Sequence, residues 1–373
     1  MTTLPGPNRT AFLDKLRVIL TLLVILHHTA IMYGADGGWY LRNPADGLAA
    51  KLLLTLFCSV NQAFFMGMFF LIAGYFTTSS YEKKGASAFL KDRSLRLGLP
   101  ILGFGFVLGP FTIALAEAGP EQSLLEFWWN WGGAFHFNIG PLWFAYALLL
   151  FSLSYVALRG LLPQLRWQFD ATTLNHKAIA LCLLIWAIAS FALRLWVPTG
   201  QEKALLQIGY FSSYCLLFFI GCAAAKQRLL EQITARLALP WLTVSIIALP
   251  SLFILAIACG ALRGVPFIVN GGWSLAALSY ALWEPLVAAG IILSMLWYGR
   301  VSARPWHFWQ KLAPLSFASY IVHAPVVVAL GRYSQNWQAA SLLKFLLVGS
   351  ISVASSFALA ALLLKIPVLK RWL

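Results

Sequence analysis

Ten stretches of this chain are each long and apolar enough to cross a lipid bilayer, and that repetition leaves few folds open. A helix needs about 20 mainly apolar residues to span the hydrocarbon. The segments run over 11–33, 48–77, 94–118, 140–162, 177–197, 205–225, 239–260, 273–299, 313–330 and 341–366. Membrane β-strands are about half that length and alternate in polarity. The pattern therefore predicts an all-α, polytopic integral membrane protein of about ten transmembrane helices. No short-period repeat, low-complexity tract or long linker divides the chain, so a single transmembrane domain is expected over 1–373. Composition agrees: 60% of residues are hydrophobic and 10% charged, against about 25% charged in soluble domains. The first segment is too long for a signal-peptide core and no A-x-A-like site follows it, so it reads as a retained span.

The formal net charge is +15. The Lys and Arg residues lie between apolar runs rather than along one stripe, which argues against a nucleic-acid partner. With the N-terminus taken as cytoplasmic, 20 of the 27 basic residues fall on that side. The remaining seven are Arg42, Lys51, Arg194, Lys203, Arg263, Arg332 and Lys344. Positive charge gathers on the cytoplasmic side, so a multi-pass protein of the bacterial inner membrane with both termini cytoplasmic is expected. The five cysteines all sit inside apolar runs without metal-ligand spacing. They read as packing residues, and no metal site is expected.

The first span carries polar residues at a cost. At 100° per residue, Arg17 and His28 lie within about 20° of one another on a helix, and Asp14 falls about 40° to the other side of His28. Thr21 joins this line, whereas His27 points about 100° away. Eleven rises of 1.5 Å put His28 roughly 16 Å deeper than Arg17. A structural reading has Arg17 snorkelling, Asp14 pairing with it and His28 bonding a neighbouring helix. Yet ionisable groups inside a membrane usually line a site or pathway, and an aligned His at depth favours that reading.

The spacing Arg17-x10-His28 in FLDKLRVILTLLVILHH resembles the opening signature of the acyltransferase family 3 integral-membrane proteins. Further stretches are similar in family order: AFFMGMFFLIAGYF at 63–76, with Ala73 where Ser is usual, RSLRLGLP at 93–100, GPLWFAYALL at 140–149 and SYIVHAP at 319–325. GGWY at 37–40 and ALWEP at 281–285 are similar to the periplasmic-glucan succinyltransferase branch. The resemblance implies a membrane-only O-acyltransferase. It would move an acetyl or succinyl group from cytoplasmic acyl-CoA to a hydroxyl of an extracytoplasmic carbohydrate, glycolipid or related envelope acceptor. Acyl-CoA would be a donor substrate, membrane lipid the surroundings, and no metal or prosthetic group is implied.

The residues support such chemistry in part. Acyl transfer to a hydroxyl needs a base, and imidazole suits the task near neutral pH; His28 is equally open to a role as transient nucleophile. Glu284 lies at comparable depth in the eighth span, where it would orient the imidazole, or else pack beside Pro285. His323 is a weaker candidate for substrate contact. Lys91, Arg93 and Arg96 offer charge for CoA phosphates near a helix start, or follow the ordinary charge bias. Trp131 and Trp143 are candidate acceptor contacts, with interfacial Trp the competing explanation. A proton-coupled secondary transporter using His28 and Glu284 is the alternative function; a scaffold would give no reason for the polar line.

Overall fold

The computed structural model describes residues 10–119, 122–130, 133–164, 169–302 and 307–372. In chain order the long apolar helices are α1 Ala11–Met32, α2 Leu48–Lys84, α3 Ala86–Glu117, α4 Gly140–Leu161, α5 His176–Trp196, α6 Ile208–Ala224, α7 Ala235–Ala258, α8 Leu275–Val301, α9 Phe308–Tyr333 and α10 Ser341–Leu363. All but α6, which is shorter, are long and apolar enough to cross a membrane. Among the described residues extended pairing is limited to one isolated bridge, Lys203 with Leu206. The protein is an all-α, multi-pass membrane protein.

Several helices outrun the apolar segments that reveal them. α2 continues through TTSSYEKK to Lys84, and α3 begins at Ala86 rather than near 94. Gly85, at φ +74°, makes the break between them. Hydropathy marks only the stretch facing hydrocarbon, so the polar helical ends are invisible to it. Two π-turns, Ser94–Gly98 and Phe104–Leu108, interrupt α3. Each widens one turn by a residue, a feature frequent at functional sites.

The chain divides into two compact units. The first comprises Met1–Leu16, Gln62–Phe89 and Phe151–Arg304. Within it α2 and α6 touch backbone to backbone: a Cβ on Gly74 would strike the Phe218 carbonyl, and one on Gly221 the Leu71 carbonyl. Small residues allow such an approach, and Thr78 seals it by donating to the Cys222 carbonyl at 3.0 Å. On α8, Pro285 interrupts the hydrogen-bond ladder. One turn on, the Ser245 hydroxyl of α7 donates to the Leu286 carbonyl at 2.7 Å and accepts from the Gly290 N–H at 3.1 Å. Such cross-helix hydroxyls restore backbone partners that water cannot supply in hydrocarbon.

The second unit comprises Arg17–Asn61, Leu90–Leu150 and Pro305–Leu373. Its core joins Val18, Ile25 and Ile31 of α1 to Leu54 of α2, Val327 of α9, and Val348 and Phe357 of α10. Residues 33–47, which link α1 to α2, are tied down at both ends. Tyr33 hydrogen-bonds Ser334. Asp46 accepts from the Ser341 N–H at 3.1 Å, and its own N–H donates to Ser341 Oγ at 3.0 Å, an exchange that caps the start of α10. Arg332, near the end of α9, donates to the carbonyls of Leu115 and Ala118 at the end of α3. Those carbonyls lack intrahelical partners.

Candidate functional site

The helix that carries the polar line is unbroken from Ala11 to Met32, so Asp14, Arg17, Thr21 and His28 keep the register expected of them. Thr21 is buried and donates to the Arg17 carbonyl at 2.9 Å. His28 stands one turn before α1 ends. It is therefore only about 6 Å from that end by helical rise, beneath the pinned segment 33–47.

What His28 meets was not legible from α1 alone. Its Nδ1 lies 2.9 Å from Nε2 of His323 on α9, with the rings stacked at 15°. The other ring nitrogen of His323, Nδ1, lies 2.5 Å from the Tyr320 carbonyl. A carbonyl only accepts, so His323 Nδ1 carries the proton and its neutral ring offers a lone pair at Nε2. His28 Nδ1–H must then donate to that lone pair. The network assigns the remaining lone pair to His28 Nε2, the basic atom of the pair.

Trp39 covers this dyad. Its ring stacks on His28 at 4.0 Å and 12°, and lies 5.9 Å from His323 at 20°. The neighbouring Tyr40 donates to Asn138 Oδ1 at 2.9 Å. Tyr320 stacks on His323 at 5.7 Å and donates its hydroxyl to the Pro141 carbonyl. Gly140, at φ +41°, has no room for a Cβ beside the Tyr40 hydroxyl. The start of α4, with Asn138 just before it, thus braces both Tyr40 and Tyr320. His27 is turned away: its ring stands edge-on to His28 at 86°, and its carbonyl accepts from Cys58 Sγ at 3.6 Å.

His323, anticipated as a substrate contact, is placed directly on His28. Glu284, in the first unit, is buried and accepts from Arg194 Nη2 at 2.5 Å. Arg194 also donates to the Gly209 carbonyl at 3.0 Å, and its guanidinium lies over the Tyr210 and Tyr280 rings at 5.3 and 5.1 Å. The charge count places Arg194 among the seven basic residues of the extracytoplasmic side. It is 1% exposed, and its place inside an apolar segment was the available signal. Arg96 bonds Asp92 at 3.1 Å and sits in the first π-turn of α3; Lys91 is exposed and Arg93 partly buried. Because α3 starts at Ala86, these residues lie beyond its first turn. Any phosphate there would meet side chains rather than open backbone N–H groups, which corrects the helix-start expectation. Trp143 is partly buried and stands edge-on to Phe144, whose ring lies 6.1 Å from Tyr320. Trp131 lies outside the described residues, as do Arg9, Arg166 and Arg304 of the basic count.

Two stretches far apart in sequence, GPLW at 140–143 and SYIVH at 319–323, therefore meet around the imidazole of a third. A family model, Acyl_transf_3, described as an acyltransferase domain, matches residues 10–363. The chain belongs to this family. Among curated proteins it is similar to glucans biosynthesis protein C of Salmonella schwarzengrund, 34% identical over 102 residues. The counterparts of Salmonella typhi and of Salmonella paratyphi B are 34% and 33% identical over the same length. These matches cover 27% of this chain and 25% of each relative. The chain thus matches about a quarter of the length of those curated relatives. No solved structure matches significantly. The dyad presents one oriented, neutral imidazole with an open lone pair, an arrangement able to act as a base.

Proposed function

We propose that this protein is a membrane O-acyltransferase of the bacterial inner membrane, with both termini cytoplasmic and residues 1–373 acting as one domain. It transfers an acetyl or succinyl group from cytoplasmic acyl-CoA to a hydroxyl of an extracytoplasmic carbohydrate or related envelope acceptor. The observation that carries this reading is His28, with Nε2 open and Nδ1 fixed by His323. Nε2 takes the acceptor hydroxyl proton as the oxygen attacks the thioester carbonyl. The C–S bond then breaks, and the proton passes to the departing thiolate.

His323 acts as a positioning residue that sets the tautomer. Arg17 and Asp14 line the same face of α1 toward the donor side. Lys91, Arg93 and Arg96 receive CoA phosphates through their side chains. Trp143, in the stretch braced by Tyr40 and Tyr320, faces the acceptor. Base catalysis is favoured over an acyl-histidine because Nδ1–H···Nε2 geometry stabilises a cation forming on His28.

The test is mass spectrometry of envelope glycans from a deletion strain complemented with wild type or His28→Ala. An acyl increment present with wild type and missing with His28→Ala is expected. Equal increments would sink the assignment. Uptake or export of a small metabolite without any acyl product would favour a proton-coupled transporter instead.

A further inference from the structure

Acyl transfer leaves one requirement that the dyad does not meet. When the hydroxyl adds to the thioester, the carbonyl oxygen becomes an oxyanion, and donors aimed at it are usually the largest single contribution to rate. Histidines that hold the base do not supply such a donor. His28 Nδ1–H is committed to His323, and His323 Nδ1–H to Tyr320.

Trp39 has one to give. Its indole Nε1–H is buried and has no acceptor among the described residues. An indole N–H is a donor only, and leaving one buried without an acceptor is unfavourable. The ring stack on His28 uses the π-face and leaves the N–H uncommitted. That stack also keeps the N–H near the base: the ring centroids are 4.0 Å apart. A base within about 3 Å of the hydroxyl proton and a donor about 3 Å from the oxyanion have to be close neighbours, because the attacked carbonyl lies between them.

The ring is held before any substrate arrives. Residues 33–47 are fastened at Tyr33–Ser334 and Asp46–Ser341, and the Asn43 N–H donates back to the Met32 carbonyl at 2.8 Å. Beside Trp39, Tyr40 is anchored on Asn138. A donor fixed in advance costs no reorganisation during reaction.

We infer that Trp39 is a catalytic residue whose indole N–H stabilises the tetrahedral oxyanion formed on the acyl-CoA carbonyl, with its ring serving as the lid on His28. Attack forms the C–O bond while the hydroxyl proton moves to His28 Nε2. The carbonyl electron pair moves onto oxygen, where it accepts from Trp39 Nε1–H. Collapse restores the carbonyl, breaks C–S, and returns the proton from His28 to sulfur, giving ester and free CoA thiol.

This inference rests on the acyltransferase reading, and the experiment separates the two. Wild type, His28→Ala, Trp39→Phe and a protein with benzothienylalanine at position 39 are expressed in the deletion strain. Benzothienylalanine keeps the shape of indole but puts sulfur where the N–H was. Membrane vesicles are then assayed with the strain's own extracted glycan and the acyl-CoA matching its mass increment. Both N–H-less proteins should lose roughly 10²–10³-fold in kcat with KM for donor and acceptor nearly unchanged. Wild-type kcat in the benzothienylalanine protein, with His28→Ala inactive, overturns the role of Trp39 alone. A raised KM with unchanged kcat makes Trp39 a binding residue and also overturns it. Glycans without an acyl increment in the wild-type strain remove the acyltransferase reading itself.

Discussion

His28 Nδ1 and His323 Nε2 lie 2.9 Å apart, although 295 residues separate them in the chain. Because His323 Nδ1 is committed to the Tyr320 carbonyl, this contact fixes which nitrogen of His28 is basic. His28→Ala should therefore abolish acyl transfer, a loss of roughly 10²–10⁴-fold, while the protein inserts and binds donor normally. His27→Ala should keep most activity, since that ring faces away and its backbone carbonyl makes the hydrogen bond to Cys58. The reverse pattern in a glycan acylation assay would mean that the catalytic register on α1 is misassigned.

A second expectation concerns His323 itself. His323→Phe keeps an aromatic ring under Trp39 but offers His28 Nδ1–H no acceptor. We expect kcat to fall on the order of 10²-fold, with donor affinity retained. His323→Gln keeps a carbonyl oxygen able to accept and should recover part of that loss. Equal activities for the two variants in steady-state kinetics would show that the ring packs without orienting the base.

The structure also separates what a one-dimensional reading could and could not contain. Arg17 and His28 share a helix, so their alignment follows from 100° per residue and needed no fold. His323, Tyr320, Pro141 and Trp39 converge by tertiary packing, which no spacing encodes. GGWY, GPLW and SYIVHAP stood out as separate stretches, and only their meeting around His28 shows why each is there. Glu284 was matched to His28 on depth along a span alone, whereas its ion pair with Arg194 comes from tertiary packing that no depth encodes. Arg194 was counted among the seven basic residues of the extracytoplasmic side, since composition cannot tell a cation at the membrane surface from one buried against two tyrosines. The polar ends of α2 and α3 were missed for a simpler reason, that helices need apolar residues only within hydrocarbon.

The basic turn on α3 makes a third test. Arg93→Ala and Arg96→Ala should each weaken acyl-CoA binding several-fold and leave folded protein in the membrane. Arg96 already holds Asp92, so Asp92→Asn should strengthen binding by releasing its partner. Because the contact is ionic and exposed, affinity should fall with added salt. Titrations in nanodiscs that find unchanged affinity in both arginine variants would return these residues to the general charge bias.

Topology can be checked independently of chemistry. Reporter fusions placed after Gln122 and Gln335 should read as periplasmic, and one after Lys84 as cytoplasmic, given the 20-to-7 division of basic residues and the positive-inside rule. α6 is the helix on which this most depends, being shorter than the other nine. Fusions flanking it that report the same side would show that α6 does not cross, and would reverse the assignment of the elements after it.

The buried pair of Arg194 and Glu284 gives the last prediction, because it separates a structural charge from a catalytic one. Both side chains are 1% exposed and the contact is 2.5 Å. Removing one partner strands the other in low dielectric, at a cost of about 3–5 kcal/mol. Glu284→Ala should therefore lower the melting temperature of the detergent-solubilised protein well below that of wild type. The double variant Arg194→Met with Glu284→Leu removes both charges and keeps apolar volume against the Tyr210 and Tyr280 rings, so it should regain most of the lost stability. Activity then decides the role of the carboxylate. If the pair braces α5 against α8, acyl transfer in the double variant follows its folded fraction and recovers with it, which is the outcome expected here. A double variant that melts like wild type yet makes no ester would instead put Glu284 in the chemistry, as its depth in the span first suggested.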